Sequence, residues 1–144
     1  MKLAILTPNV SALPQPTASE IGELADKGYR SIIGNQPDGE APDQPTWTTL
    51  EAAALARGME AVHIPVVASQ IDAADIRAFR EALERLPKPI AAFCRTGTRS
   101  TLLWALANQS SLTADERIAI AAKAGFDLEP FRALLNQEFA NAQS

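Results

Sequence analysis

Short apolar runs alternate along this chain with segments whose apolar residues recur at helical spacing. Four of these runs have the length and composition of buried strands: Met1–Leu6, Tyr29–Gly34, Met59–Ile64 and Ile90–Phe93. A chain in which strands and helices alternate usually builds a mainly parallel sheet with helices on both of its faces. The pattern therefore predicts an α/β fold.

Capping residues and glycines mark where the intervening helices begin and end. Thr17 and Glu20 have the spacing of a capping box, as do Thr113 and Glu116, and a glycine follows each of the two segments. The predicted helices lie at Thr17–Gly28, Trp47–Arg57, Asp72–Leu86, Leu102–Leu106, Thr113–Gly125 and Asp127–Phe139. The last two follow the alternating units, so we predict them as extra C-terminal helices.

Proline-containing stretches predict loops between these elements. Residues 8–16 contain three prolines and are predicted to be irregular, and Asn35–Pro45 is predicted to be a surface loop. Ligands of parallel sheets bind beyond the carboxyl ends of the strands. We therefore expect Asn35–Glu40 and Pro65–Gln70 to lie beside the segment that follows the last strand.

Composition limits the class of protein. The 144 residues suit one domain, here residues 1–144, and a hydrophobic fraction of 47% is enough for one core. A net charge of −4 argues against nucleic acid or an anionic membrane as a partner. No apolar run approaches the roughly 20 residues of a membrane span, and the first residues lack a signal-peptide pattern. The expected location is the cytoplasm.

The chain contains one cysteine and one histidine. One cysteine excludes an internal disulfide, and this pair of residues is too few for a typical structural zinc site. We therefore expect neither a metal nor a cofactor.

The single cysteine begins the segment between the last predicted strand and the following helix: Cys94-Arg95-Thr96-Gly97-Thr98-Arg99. The first N–H groups of a helix have no partner within it, and the helix dipole adds partial positive charge there. Gly97 allows the backbone to turn, and the two arginines add full positive charge. The segment therefore predicts a reactive Cys94 thiolate behind an oxyanion site formed by Arg95, Thr96, Gly97 and Thr98. The alternative is a buried structural cysteine.

Three further side chains are interpreted from their positions in the chain. A surface arginine at a helix start opposes the dipole, so Arg99 is expected instead to clamp the anion by two parallel hydrogen bonds. Arg95 is expected to face solvent and raise the local positive potential. His63 lies inside a predicted strand, so we interpret it as a hydrogen-bonded strand residue rather than a catalytic base.

The motif Cys94-x4-Arg99-Ser100 resembles the active loop of rhodanese-type sulfurtransferases and is close to the Cys-x5-Arg-Ser/Thr loop of tyrosine and dual-specificity phosphatases. The whole chain resembles a bacterial family with a phosphatase-like fold, formerly a domain of unknown function and now described as a sulfur transferase. That family occurs alone or fused to a persulfide-dioxygenase-like domain. The segments that carry the resemblance are Leu6–Pro8, Pro37–Glu40, His63–Val66 and Phe93–Ser100.

The resemblance implies a tyrosine- or dual-specificity-phosphatase-like fold and roles for individual residues. Cys94 and Arg99 would be catalytic, and Ser100 would donate a hydrogen bond to the cysteine sulfur, although an ordinary serine at a helix start fits equally well. The resemblance also makes three residues candidates for the rim of the site: Asp38, Glu40 and His63. A persulfide dioxygenase is the candidate protein partner. Many family members have an arginine where this chain has Gln36, so anion affinity is expected to be weaker here.

Two reactions fit such a loop. A phosphatase needs an acid to protonate its leaving oxygen, but Pro65–Gln70 contains none and Asp72 is interpreted as a helix cap. Sulfur transfer from thiosulfate or a small persulfide to a thiol-type acceptor needs no acid, and the loop is one residue shorter than that of the phosphatases. We therefore favour a sulfurtransferase, with a cysteine-dependent phosphatase as the alternative and a non-catalytic oxyanion-binding module as the third hypothesis.

Overall fold

Five strands form one sheet at the centre of the structure, a computed structural model that describes residues 1–137. The strands are β1 (Ala4–Thr7), β2 (Val10–Pro14), β3 (Ser31–Gly34), β4 (Glu60–His63) and β5 (Ile90–Cys94), in the order β1-β2-β5-β3-β4. β1 runs antiparallel to β2, and the other neighbouring pairs are parallel. The mainly parallel sheet is therefore confirmed, and the strand that ends in Cys94 lies at its centre.

Six α-helices accompany the sheet in the described part of the chain: α1 (Ala18–Asp26), α2 (Trp47–Ala56), α3 (Ala73–Arg85), α4 (Thr98–Ala107), α5 (Ala114–Lys123) and α6 (Arg132–Asn136). Both predicted capping boxes are present, with Thr17 accepting the N–H of Glu20 and Thr113 that of Glu116. Asp72 caps α3. Within residues 1–137, no helix combines the length and apolar character needed to cross a membrane.

Successive residues of the central strands point to opposite faces of the sheet, and each face has its own apolar core. On one face, Leu13, Ile32 and Phe93 pack with side chains of α1 and α2. On the other face, Ala12, Ile33 and Ala92 pack with side chains of α3, α4 and α5. This arrangement confirms helices on both faces and explains why the central strands are continuous apolar runs.

The predicted irregular stretch after the first strand is wrong, because residues 10–14 form β2 between β1 and β5. Thr7 makes the tight turn that precedes it by accepting the N–H groups of Asn9 and Val10 through its hydroxyl. Pro8 lies in this turn and Pro14 is the last residue of the strand. Prolines at these places leave the ladder almost intact, so the three prolines bound a strand rather than exclude one.

The predicted helix from Asp127 to Phe139 is also different. The Asp127 carboxylate accepts the N–H of Glu129 and starts a 3₁₀ turn, Glu129–Phe131, which the short α6 follows. The break allows Leu128 and Leu135 both to be fully buried. Residues 138–144, where the predicted helix would have ended, lie outside the described part of the chain.

A buried arginine fixes α5 against its neighbours. Arg117 is 2% exposed and donates hydrogen bonds to the carbonyl oxygens of Thr113, Ala105 and Leu135. Burial lowers its pKa, although an arginine keeps its charge at neutral pH. Because Ala105 lies on α4, the contact ties α5 to the helix that follows Cys94.

Candidate active site

Cys94 is the last residue of β5, and α4 begins only four residues later. Gly97 is the N-cap of α4 with a φ of +93°, and its N–H donates a hydrogen bond to the Cys94 sulfur at 3.1 Å. The cysteine side chain is fully buried beneath this turn. The first turn of α4 contains no acidic residue, so its positive end faces the sulfur without a competing carboxylate on the helix itself.

The turn is packed tightly from outside by an aromatic ring. A Cβ atom placed on Gly97 would lie 2.8 Å from the ring of Phe126, which is partly buried. Thr101 accounts for the Gly97 carbonyl oxygen, donating to it through both its N–H and its hydroxyl. The conformation of the turn therefore depends on a glycine at this position.

Arg99 is held in place by two neighbouring loops. Its two terminal nitrogens donate to the two carboxylate oxygens of Glu40 at 2.7 and 2.8 Å, and one of them also donates to the carbonyl oxygen of Val66 at 2.9 Å. The loops that follow β3 and β4 thus meet the Cys94 loop, as the sequence predicts. These contacts use three of the five N–H donors of the guanidinium, so the Nε–H and one N–H of Nη2 are left for an anion in the loop.

The charges at this point stabilise one another. The hydrogen bond from Arg99 lowers the pKa of Glu40, with further contributions from Gln36 and from the charge of Arg95. The same hydrogen bond, which Glu40 accepts, raises the pKa of Arg99, and the charge of the Cys94 sulfur raises it further. Glu40 is therefore an ionised ligand of Arg99 at neutral pH and is not available as a proton donor.

Ser100 does not make the expected contact with the cysteine sulfur. Its hydroxyl donates instead to the side-chain oxygen of Asn35 at 2.7 Å, and both residues are buried. Asn35 also donates its side-chain N–H to Ile64 and its backbone N–H to Phe93. It therefore connects the ends of β3, β4 and β5, a role that sequence reasoning missed; a polar residue directly after a buried strand was the available signal.

The other rim candidates support the walls of the site. Asp38 accepts the backbone N–H of Trp47 at 2.8 Å, where α2 begins. His63 stacks on the Trp47 ring with centroids 4.8 Å apart, and its Nε2 lies 3.2 Å from the carbonyl oxygen of Gln36. These contacts agree with the interpretation of His63 as a hydrogen-bonded residue at the end of a strand.

The remaining loop residues present their side chains outward. Arg95 and Thr96 are exposed, whereas Thr98 is partly buried. The Thr96 and Thr98 hydroxyls are hydrogen-bonded to each other at 3.0 Å. Arg95 faces solvent, where its charge adds to the local potential. Residues 1–137 contain no group of three or more histidine, cysteine, aspartate or glutamate side chains placed to hold a metal ion.

A family model for the phosphatase-like domain of beta-lactamase hydrolase-like proteins matches residues 2–111. The chain belongs to this family. A beta-lactamase hydrolase-like protein of Xylella fastidiosa is 35% identical over 130 residues, which cover 89% of this chain and 30% of the relative. The chain therefore spans less than a third of that curated relative. Membership of this family and the phosphatase-like fold are the parts of the resemblance that are confirmed.

Solved structures extend the likeness to phosphatases. A candidate phosphatase from Neisseria meningitidis matches with a TM-score of 0.87 and 33% identity, covering 94% of this chain and 97% of its own. TpbA of P. aeruginosa, solved in complex with phosphotyrosine, matches with a TM-score of 0.63 and 13% identity over 95% and 91% of the two chains. The second likeness shows the fold alone. These names favour the phosphatase interpretation, and sulfur transfer remains a prediction.

In this phosphatase-like domain we expect Gly97→Ala to distort the Cys94 turn. The new methyl group would meet the Phe126 ring in a backbone conformation that costs a non-glycine residue about 1–3 kcal/mol. Activity should fall at least about tenfold because misplaced donors stabilise the transition state poorly. Steady-state kinetics and thermal unfolding check both effects.

Gly58→Ala is the matched control, because Gly58 has a φ of +76° but no atom within 4 Å of the added Cβ. It should lose stability and retain activity. Equal activity losses in the two variants would show that the contact between Gly97 and Phe126 has no special role.

Proposed function

We propose that this protein is a cysteine-dependent sulfurtransferase in which Cys94 carries a sulfane sulfur between a small donor and a thiol-type acceptor. One observation carries the choice of reaction. Among residues 1–137, the carboxylate that hydrogen-bonds to the Cys94 loop is Glu40, and it is committed to Arg99 as an ionised ligand. A site without a free acid suits a leaving group that needs no proton.

In the first half-reaction, the Cys94 thiolate attacks the outer sulfur of the donor. With thiosulfate, the new bond joins the Cys94 sulfur to that outer sulfur, and the sulfur–sulfur bond of the donor breaks with its electron pair leaving on sulfite. With a small persulfide, the leaving group is the corresponding thiolate. The Gly97 N–H, which already contacts the Cys94 sulfur, and the two Arg99 N–H groups that Glu40 and Val66 do not use would hold the negative charge.

In the second half-reaction, an acceptor attacks the terminal sulfur of the Cys94 persulfide. A thiolate acceptor becomes a persulfide, cyanide becomes thiocyanate, and the Cys94 thiolate is regenerated with its electron pair. Neither half-reaction uses an oxidant, a reductant or a metal. The residues required are therefore the nucleophile, the loop donors and Arg99.

The second candidate is a phosphatase that forms a phosphocysteine, and the family name and the solved relatives favour it. Such an enzyme needs an acid beside the leaving oxygen. The carboxylate next along the chain from the β4 loop is Asp72, which accepts the N–H of Asp75 as the cap of α3. The phosphatase hypothesis must therefore either assign Asp72 a second role or restrict the substrates to esters with a good leaving group.

One experiment separates these candidates. The protein is exposed to thiosulfate or glutathione persulfide alone, and mass spectrometry of the Cys94 peptide should show one added sulfur atom. Cyanide or a thiol should then remove it with turnover. An aryl phosphate is offered in parallel. If no added sulfur appears while the phosphate is hydrolysed by a Cys94-dependent route, the sulfurtransferase proposal is wrong.

Asp72→Asn tests the acid directly. Asparagine caps a helix about as well as aspartate, so stability should change by less than about 0.5 kcal/mol and sulfur transfer by less than about twofold. Asp127→Asn is the matched control, because the Asp127 carboxylate also accepts a backbone N–H, that of Glu129. A selective loss of phosphate hydrolysis in Asp72→Asn, measured by initial rates, would identify Asp72 as an acid and favour the phosphatase.

A further inference from the structure

Two adjoining cavities of about 420 and 530 Å³ follow the outer side of β1, between this strand and the end of α5. They share three lining residues, Leu3, Ala4 and Ala124, and so form one groove, which we call the β1 groove. Each cavity by itself falls within the range of about 300–1,000 Å³ that is usual for small-molecule sites. The mechanism described above does not use this groove.

The β1 groove ends at the Cys94 loop. Its smaller cavity is lined by Thr96 of that loop, by Phe126, and by Pro14 at the end of β2. Pro14 is the register partner of Cys94 across the parallel strands, and Phe126 packs on Gly97. Glu40 and Val66 reach the loop from the ends of β3 and β4, on the other side of β5 in the sheet order. A ligand in the groove would therefore reach the loop without displacing Glu40 from Arg99.

The charge of the groove selects an anion. Among the described residues that line its two cavities, the charged ones are Lys2 and Lys123, and no carboxylate is present. This contrasts with the whole chain, which has 17 acidic and 13 basic residues. Arg95 in the loop is exposed and adds a further positive charge nearby. Both ends of the groove therefore favour negatively charged groups.

The wall of the groove is also suited to amide groups. β1 is an edge strand, paired with β2 on one side only. The free edge of a strand presents backbone N–H and C=O groups to which an extended peptide can hydrogen-bond. The ring of Phe126 and the side chain of Leu3 supply apolar contact. A groove with a free strand edge, two lysines and a volume suited to a small molecule fits a small anionic peptide.

We propose that the β1 groove binds the peptide part of a short anionic peptide thiol, of which glutathione is the probe, with its sulfur at the end of the groove that Thr96 of the Cys94 loop lines. This assignment deepens the proposed function, on which the choice of a thiol rests. The binding of the peptide part follows from the groove alone. Lys2 and Lys123 are then specificity-determining residues that contact the carboxylates of the ligand.

Binding is measured with S-methylglutathione, which cannot accept sulfur, by calorimetry or by NMR shifts. The wild-type protein should bind it in the millimolar range or tighter, and added salt should weaken the binding. The double variant Lys2→Gln, Lys123→Gln should bind about tenfold more weakly, since each exposed charge pair is worth up to about fivefold. Lys27→Gln, at an exposed lysine outside the groove, should bind normally. Absence of binding, or equal binding by all three proteins, overturns the proposal.

A steric variant provides the second test. Ala124 lines both cavities, so Ala124→Phe should fill the groove. It should raise the KM for glutathione at least about fivefold and leave the thiosulfate–cyanide reaction unchanged, because those two ions need only the loop. Thermal unfolding confirms that the variant is folded. An equal loss in both reactions would contradict a separate groove for the peptide.

The two assays also separate this proposal from the proposed function. Lysine-dependent binding of S-methylglutathione in a protein that transfers no sulfur would leave the groove in place and refute sulfur transfer. Sulfur transfer by a protein whose use of glutathione is unaffected by all of these groove variants would refute the groove and leave the proposed function standing.

Discussion

The Cys94→Ser protein is expected to be at least about 10³-fold less active than the wild-type protein with every substrate that the loop accepts. The Cys94 sulfur lies at the end of β5 and accepts the Gly97 N–H, so it is the atom that the loop surrounds. A serine hydroxyl of similar size stays protonated at neutral pH and forms no persulfide. The expected mass spectrum after exposure to thiosulfate shows one added sulfur on the wild-type peptide and none on the variant.

The fold itself is the control for this experiment. Cys94 is fully buried and has no disulfide partner, so a serine should keep the structure with a modest loss of stability. Thermal unfolding of both proteins checks this point. Retention of turnover by the folded variant would exclude Cys94 as the nucleophile. A wild-type protein that binds oxyanions but turns over no donor or ester would favour the non-catalytic module.

Arg99→Lys is expected to reduce sulfur transfer about 10²-fold, because lysine keeps the charge and loses the planar donor geometry. In the structure, the guanidinium binds both oxygens of Glu40 and the carbonyl oxygen of Val66 at once. The ammonium group of a lysine has one nitrogen, so it cannot hold Glu40 and Val66 in this way and also bind an anion through another nitrogen of fixed position. Steady-state kinetics with thiosulfate and cyanide measure the loss.

Arg95→Lys is the matched control, since Arg95 is exposed in the same loop and keeps its charge on substitution. Its activity should change by less than about threefold. The Arg99–Glu40 pair is partly exposed, with side-chain exposures of 14% and 26%, so the stability lost in Arg99→Lys should stay near 1 kcal/mol or below. Equal kinetic effects of the two substitutions would remove the distinction between a clamp and a general positive potential.

The fold does not by itself decide between the two reactions. A phosphatase and a sulfurtransferase can share a cysteine at a strand end, an anion-binding turn and an arginine, and functions are assigned from sites rather than folds. The difference lies in the acid. Glu40 is close enough to be considered, but its pKa is lowered by the arginine that it binds. The names of the relatives and the chemistry of the site thus point in different directions, and the persulfide experiment decides between them.

The errors in the sequence prediction have a common origin. The prolines near β2 predict an irregular segment, although the strand is enclosed by β1 and β5 and has its prolines at its boundaries. Asp127 has the sequence pattern of a helix cap, but it accepts the N–H of Glu129 one residue ahead of the N-cap of a 3₁₀ turn, and the chain there buries Leu128 and Leu135. In both places the packing of distant segments outweighed a local propensity, as tertiary contacts commonly do.

The sequence by itself determined the alternation of strands and helices, both capping boxes, the cap at Asp72, and the position of Cys94 before a helix start. These features depend on residues within one or two turns of each other, so periodicity and capping patterns describe them well.

Only the tertiary structure decided the partners of the loop. Glu40 is 59 positions from Arg99, Asn35 is 65 from Ser100, and Phe126 reaches Gly97 from beyond α5. The resemblance placed Glu40 near the site, but no local pattern indicates that it binds Arg99 or that Ser100 turns to Asn35. Such contacts form because the sheet order brings the ends of β3, β4 and β5 together and leaves buried polar groups to find the partners that the packing supplies.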